Sequence, residues 1–180
     1  AVVDYLAGKL AWQHGRYQDA LDRFERVDAL LRKTRRPEDS GLYWICSFER
    51  AQLFAVMGRL DDARRVRAEL EGSPRGEYFA MELALTDLMI AFHADAAQEL
   101  PRDEELFEWG KQMLRVSRFG ANVALMAWAF EARNEPEMAT LCLRQASERI
   151  EYEFLADTVP KLHAWLGPKI EALPPEDDEL

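Results

Sequence analysis

Apolar residues recur along this chain at spacings of three and four, and almost nowhere at alternate positions. Leu21, Phe24, Val27 and Leu31 form one such stripe, which predicts a helix over Tyr17–Thr34. The same periodicity predicts helices over Val2–His14, Gly41–Met57, Leu60–Glu71, Glu77–Phe92, Asp103–Val116, Gly120–Arg133 and Glu135–Glu151. Taken in order they make four antiparallel pairs. The Arg35–Ser40 loop, with Pro37 and the capping candidates Asp39 and Ser40, separates the first pair from the second. Gly72-Ser73-Pro74 breaks the chain before the third, whose helices are joined by a longer connection, Ala94–Pro101. A final segment, Thr158–Ala172, carries Trp165, is interrupted by Gly167-Pro168 and reads as a capping helix. Strand signals are essentially absent, so the expected class is all-α.

Within this pattern one motif repeats. Gly15-Arg16-Tyr17-Gln18-Asp19-Ala20 returns as Gly58-Arg59-Leu60-Asp61-Asp62-Ala63, and again as Asn134-Glu135-Pro136-Glu137-Met138-Ala139. The residue types have physical reasons. Glycine and asparagine tolerate the left-handed backbone that ends a helix. Acids follow in the first turn of the next helix, where its dipole favours them, and Pro136 fits there because a first-turn residue needs no backbone donor. Ala20, Ala63 and Ala139 are small where antiparallel helices must approach. Four residues later stand Phe24, Arg67 and Leu143; the first and last suit a core, whereas Arg67 makes the second unit irregular. The third pair carries no copy, so a degenerate unit is expected between Gly58 and Asn134.

The set Gly8, Gly15, Tyr17, Ala20 and Phe24 resembles a tetratricopeptide (TPR) repeat, echoed at Gly58/Leu60/Ala63 and at Asn134/Ala139. That resemblance implies a right-handed superhelical array of about four hairpins over residues 1–172, a TPR-like solenoid with a C-terminal capping helix. It also implies that the first helix of each pair lines a concave protein-binding face. Carried over residue by residue, the face comprises Val2, Tyr5, Lys9, Trp12 and Gln13, then Ile45, Phe48, Gln52 and Ala55, then Ala124 and Trp128. Tyr5 and Phe48 occupy matching positions in the first two units and are the leading anchors, since aromatic side chains bury large areas at interfaces. Trp44 and Trp109 are expected in the core or at helix contacts. Some TPR proteins clamp a C-terminal carboxylate with lysine and asparagine. Lys9 fits, but Gln13 and Gln52 stand where asparagines belong, and a chaperone-tail clamp is not expected.

Charge narrows the partners. The chain has 180 residues and a formal net charge of −10, and an acidic surface repels phosphate backbones. Nucleic acid is therefore not the expected ligand; a protein or peptide is. The basic cluster Arg32, Lys33, Arg35 and Arg36 falls at a helix end, where it complements the macrodipole. Residues 173–180, proline-led and acidic, are expected to be a disordered tail, and an acidic peptide of that kind could dock on Arg32–Arg36 or on Arg64/Arg65/Arg67. Every apolar run is broken by polar residues, so no membrane span is expected. Cys46 and Cys142, far apart in apolar helical patterns, read as buried thiols of a cytoplasmic protein. The start, Ala1-Val2-Val3-Asp4, lacks an initiator Met and reads as a trimmed fragment.

No catalytic constellation emerges. His14, His93 and His163 lack paired metal-ligand spacing. Arg50 lies one turn beyond Cys46 and would favour a thiolate, yet no histidine base is near in sequence. The glycines form no phosphate-cradling loop, and neither cofactor nor metal is expected. The expected function is a non-enzymatic interaction module, a scaffold or regulatory segment of a larger signalling protein. The alternatives are a small acidic TPR-type chaperone for an apolar client segment, and an enzyme whose site the sequence does not reveal. The oligomeric state is left open.

Overall fold

A computed structural model of the chain describes residues 1–73, 79–116, 120–148 and 155–174. Among these there are ten α-helices and no strand. They are α1 (Val2–Gln13), α2 (Tyr17–Leu31), α3 (Gly41–Val56), α4 (Leu60–Glu71), α5 (Ala80–His93), α6 (Asp103–Val116), α7 (Gly120–Ala132), α8 (Pro136–Ser147), α9 (Leu155–Thr158) and α10 (Pro160–Glu171). The expected helix start at Glu77, the expected end at Glu151 and the acidic residues 175–180 lie outside the described residues.

The helix boundaries follow local chemistry. α2 stops at Leu31 rather than Thr34, because the Thr34 hydroxyl donates to the Leu31 carbonyl at 2.7 Å and closes a turn there. Ser40 occupies the N-cap of α3 without making a side-chain capping bond, and Asp39 belongs to a 3-10 turn, Pro37–Asp39. α10 runs through Gly167-Pro168 instead of breaking. Pro168 and Ala164 both lie on its exposed side. The hydrogen bond that proline cannot donate therefore leaves the Ala164 carbonyl accessible to water.

The hairpin turn is the recurrent device. Gly15 (φ 67°), Gly58 (φ 75°) and Asn134 (φ 59°) all take the left-handed conformation. In each turn the next residue donates its N–H to the carbonyl five positions back: Arg16 to Ala11 at 2.9 Å, Arg59 to Phe54 at 2.8 Å, Glu135 to Phe130 at 2.9 Å. This is the Schellman closure of a helix C-terminus. A fourth copy ends α5, where Asp95 (φ 52°) is left-handed and Ala96 donates to Ala91 at 2.9 Å. The stretch expected to carry no copy thus has the turn. Its continuation is only a 3-10 turn, Ala97–Glu99, ahead of Pro101.

The chain divides into two compact units, Ala1–Leu100 and Pro101–Leu180. In the first, α1 packs on α2, α2 on α3, α3 on α4, and α5 on both α3 and α4. Phe24, Trp44, Leu53, Leu70 and Leu88 are among its buried residues. Ala20 and Ala63 are fully buried at the helix approaches, as their size suits. Gly8 belongs to the tightest approach, since a Cβ there would stand 2.7 Å from the Phe24 ring. In the second unit α7 packs on α6, α8 and α10. Surrounded in this way, it is apolar almost all round, with Val123 to Ala127, Ala129 and Phe130 buried. Gly110 on α6 repeats the device of Gly8, a Cβ there falling 2.6 Å from Phe130. Arg67, the irregular residue of the second motif, takes no place in the core. Its guanidinium forms a two-pronged ion pair with Asp87, both distances 2.7 Å, linking α4 to α5.

Candidate functional site

α1 and α3 are the first helices of the first two hairpins, and three side chains join them. Glu49 of α3 accepts the Tyr5 hydroxyl at 3.0 Å and the Lys9 ammonium at 2.8 Å, both on Oε1. Burial, with the Glu49 carboxylate second, raises the Tyr5 pKa well above the ordinary phenol range. The phenol is thus held protonated and donating. Around this polar centre lie the accessible expected face residues: Val2 and Ile45, 60% and 48% exposed, and the half-buried Gln13 and Gln52.

Two of the expected anchors are elsewhere. Trp12 is only 7% exposed; it packs edge-on to Phe24 with Lys9 over its ring at 5.6 Å. Phe48 is 4% exposed and packs against both Trp44 and Phe79, whose rings stack on one another at 4.4 Å. Both aromatics fill space between helices, and the matching of Tyr5 with Phe48 across units does not give them matching exposure. Ala55 and Ala124 are likewise buried. Trp128 is half-buried on α7, in the second unit, and Trp44 is in the core.

Val3, Leu6 and Leu10 were not among the expected face residues, yet they are 79%, 59% and 52% exposed. With Val2 they form an apolar row at helical spacing along α1, on the side turned away from Gly8, Ala11 and Trp12. The signal was present in the sequence: Asp4, Lys9 and Gln13 are the only charged or amide side chains of α1. A helix apolar on both sides is expected to be covered on both. In this unit α1 is covered on one.

The remaining polar groups are structural in their surroundings. Arg50, 8% exposed, pairs with Asp28 at 2.9 Å, and Asp28 also accepts from Arg32 at 2.7 Å. Cys46 donates its thiol to the Phe24 carbonyl at 3.4 Å. Burial pushes its pKa up to about 12 despite the opposing charge of Arg50, so a thiolate nucleophile is not favoured there. Cys142, buried in the second unit, is also pushed up to about 12. His93 holds the Met89 carbonyl through Nδ1 at 2.9 Å. Among the described residues no group of three or more His, Cys, Asp or Glu is placed to hold a metal ion, and no helix is long and apolar enough to cross a membrane.

These features define an all-helical protein of antiparallel hairpins with a repeated Schellman turn and an uncovered apolar helix face. No family model matches the chain, and no curated protein or solved structure matches it.

Proposed function

We propose that this chain is a non-enzymatic protein-interaction module whose α1–α3 face receives an amphipathic helix of a partner protein. The observation that carries the reading is the apolar row Val2, Val3, Leu6 and Leu10, more than half exposed at every position. A partner helix laid along it would bury its own apolar stripe there. Ile45 would extend the contact onto α3, and the Tyr5–Glu49–Lys9 centre would supply orientation at its edge. The recurrent hairpin turn supports a TPR-like reading of the repeats, in which first helices carry the binding face. Two buried thiols suit a reducing, cytoplasmic setting.

Selection of displayed helical peptides against the intact chain tests this. Binders should carry apolar residues at spacings of three and four, and should lose about tenfold or more in affinity for Leu6→Glu or Ile45→Glu. Both substitutions are at exposed positions, so circular dichroism should be unchanged. Selected peptides that bind both variants as tightly as the parent chain would overturn the reading. So would sedimentation showing the face occupied by a second copy, with Leu6→Glu releasing monomers.

A further inference from the structure

A second surface is independent of the α1–α3 face and is defined by charge. Most described cations of the first unit are engaged. Arg64 pairs with Glu99, Arg65 with Asp62, Arg59 with Asp62, and Arg67 with Asp87 and Glu71. The basic run on α4 is therefore neutralised within the fold. Five described cations of this unit make no ion pair, and all lie between positions 23 and 36: Arg23, Arg26, Lys33, Arg35 and Arg36. Arg23 is half-buried and the other four are exposed.

Their placement makes one strip. Arg23 and Arg26 are one turn apart on α2, and Leu30 follows Arg26 by another turn, so the three share a side of the helix. Lys33 continues the line in the turn that closes α2, its backbone N–H on the Leu30 carbonyl at 3.3 Å, and Arg35 and Arg36 follow. Leu30 is 44% exposed in the midst of these charges. The nearest acids are spent or lateral. Asp28 is held by Arg50 and Arg32, Glu69 by Arg32, and Asp19, one turn before Arg23, by Arg16; Asp22, one turn before Arg26, accepts only from the neutral Gln18 and flanks the strip with its charge intact. Glu25 lies across α2, and Glu38 and Asp39 bound the strip at its far end.

We propose that this strip docks an acidic segment of a partner protein, a short Asp/Glu-rich peptide with one apolar side chain seated on Leu30. Charge complementarity carries the choice. Unpaired guanidinium and ammonium groups in a row match carboxylates spaced along an extended or helical peptide. The net charge of −10 opposes peptide and polyphosphate alike, so the choice between them rests on Leu30. The exposed leucine adds an apolar anchor that nucleic-acid backbones do not use.

Fluorescence anisotropy tests this, with a labelled twelve-residue Asp/Glu peptide bearing one central Phe. Binding to the full chain should weaken as salt rises and be absent for the Asn/Gln version of the peptide. The charge reversals Arg26→Glu, Lys33→Glu and Arg35→Glu together should reduce affinity by about tenfold or more, and Leu30→Ala by a smaller factor. Arg64→Glu with Arg65→Glu, and Leu6→Glu, should leave it within about twofold. Equal binding by the reversed and parent chains would overturn the proposal. Preferential binding of a twelve-nucleotide single-stranded DNA, or of phosphatidylserine vesicles, over the peptide would overturn it equally.

Discussion

Two glycines of the first unit are fixed by different physics, and substitution separates them. Gly8 is helical, and an added methyl would meet the Phe24 ring at 2.7 and 2.9 Å. Phe24 is fully buried and its ring contacts those of Tyr5 and Trp12, so it has no room to yield. Gly8→Ala should therefore cost about 1–3 kcal/mol by overpacking, even though alanine is the better helix former. Gly58 is the reverse case. A Cβ there meets nothing within 4 Å, but its φ of 75° is left-handed, and Gly58→Ala should cost about 1 kcal/mol from backbone conformation alone. Urea denaturation of both variants checks the contrast. If strain at Gly8 is steric, shortening the obstacle with Phe24→Leu should make Gly8→Ala less damaging than in the parent, whereas no second-site change of this kind should rescue Gly58→Ala.

At the scale of the element, the unit of construction is the helix end rather than the helix. The three copies of the turn pattern, Gly or Asn with an acid and then Ala five positions on, were legible because the turn needs a particular residue type at one position. The fourth, at Asp95, was not, because aspartate tolerates the left-handed region less obviously than glycine and the helix after it shrinks to a 3-10 turn. Helix α6 and helix α4 matched their predicted bounds, while α10 ran through Pro168 because its lost hydrogen bond lies on the open side. The expected face was half legible. Tyr5, Lys9, Gln13 and Gln52 are half-buried as such a face requires, but the repeat geometry carried over from the resemblance placed Trp12 and Phe48 on it as well, and periodicity cannot tell which of two apolar sides of α1 is covered. The turn also gives a prediction at this scale. Asn134 pays part of the left-handed cost that glycine avoids, so Asn134→Gly should raise stability by up to about 1 kcal/mol. Asn134→Ala should lower it, and thermal unfolding of the pair should bracket the parent chain.

For the molecule as a whole, each compact unit encloses one thiol, and this ties its stability to alkaline pH. Burial raises Cys46 and Cys142 from the ordinary 9.0 to about 12 in the folded chain. Between those values the unfolded chain releases protons that the folded chain keeps, so unfolding is favoured as pH rises; below about 9 the two states bind these protons equally. Tyr5, raised by burial and by Glu49, acts in the same direction at higher pH. At pH 10 the two thiols together should lower stability by about 3 kcal/mol relative to pH 7.5. Other groups also titrate in alkali, so the parent chain alone is not diagnostic. The comparison that isolates the thiols is the Cys46→Ala/Cys142→Ala variant. It should begin less stable at pH 7.5, from the two small cavities, but lose about 3 kcal/mol less than the parent between pH 7.5 and 10. Parallel losses in the two chains, measured by urea midpoints at both pH values, would mean that the thiols are not the groups that couple this fold to alkali.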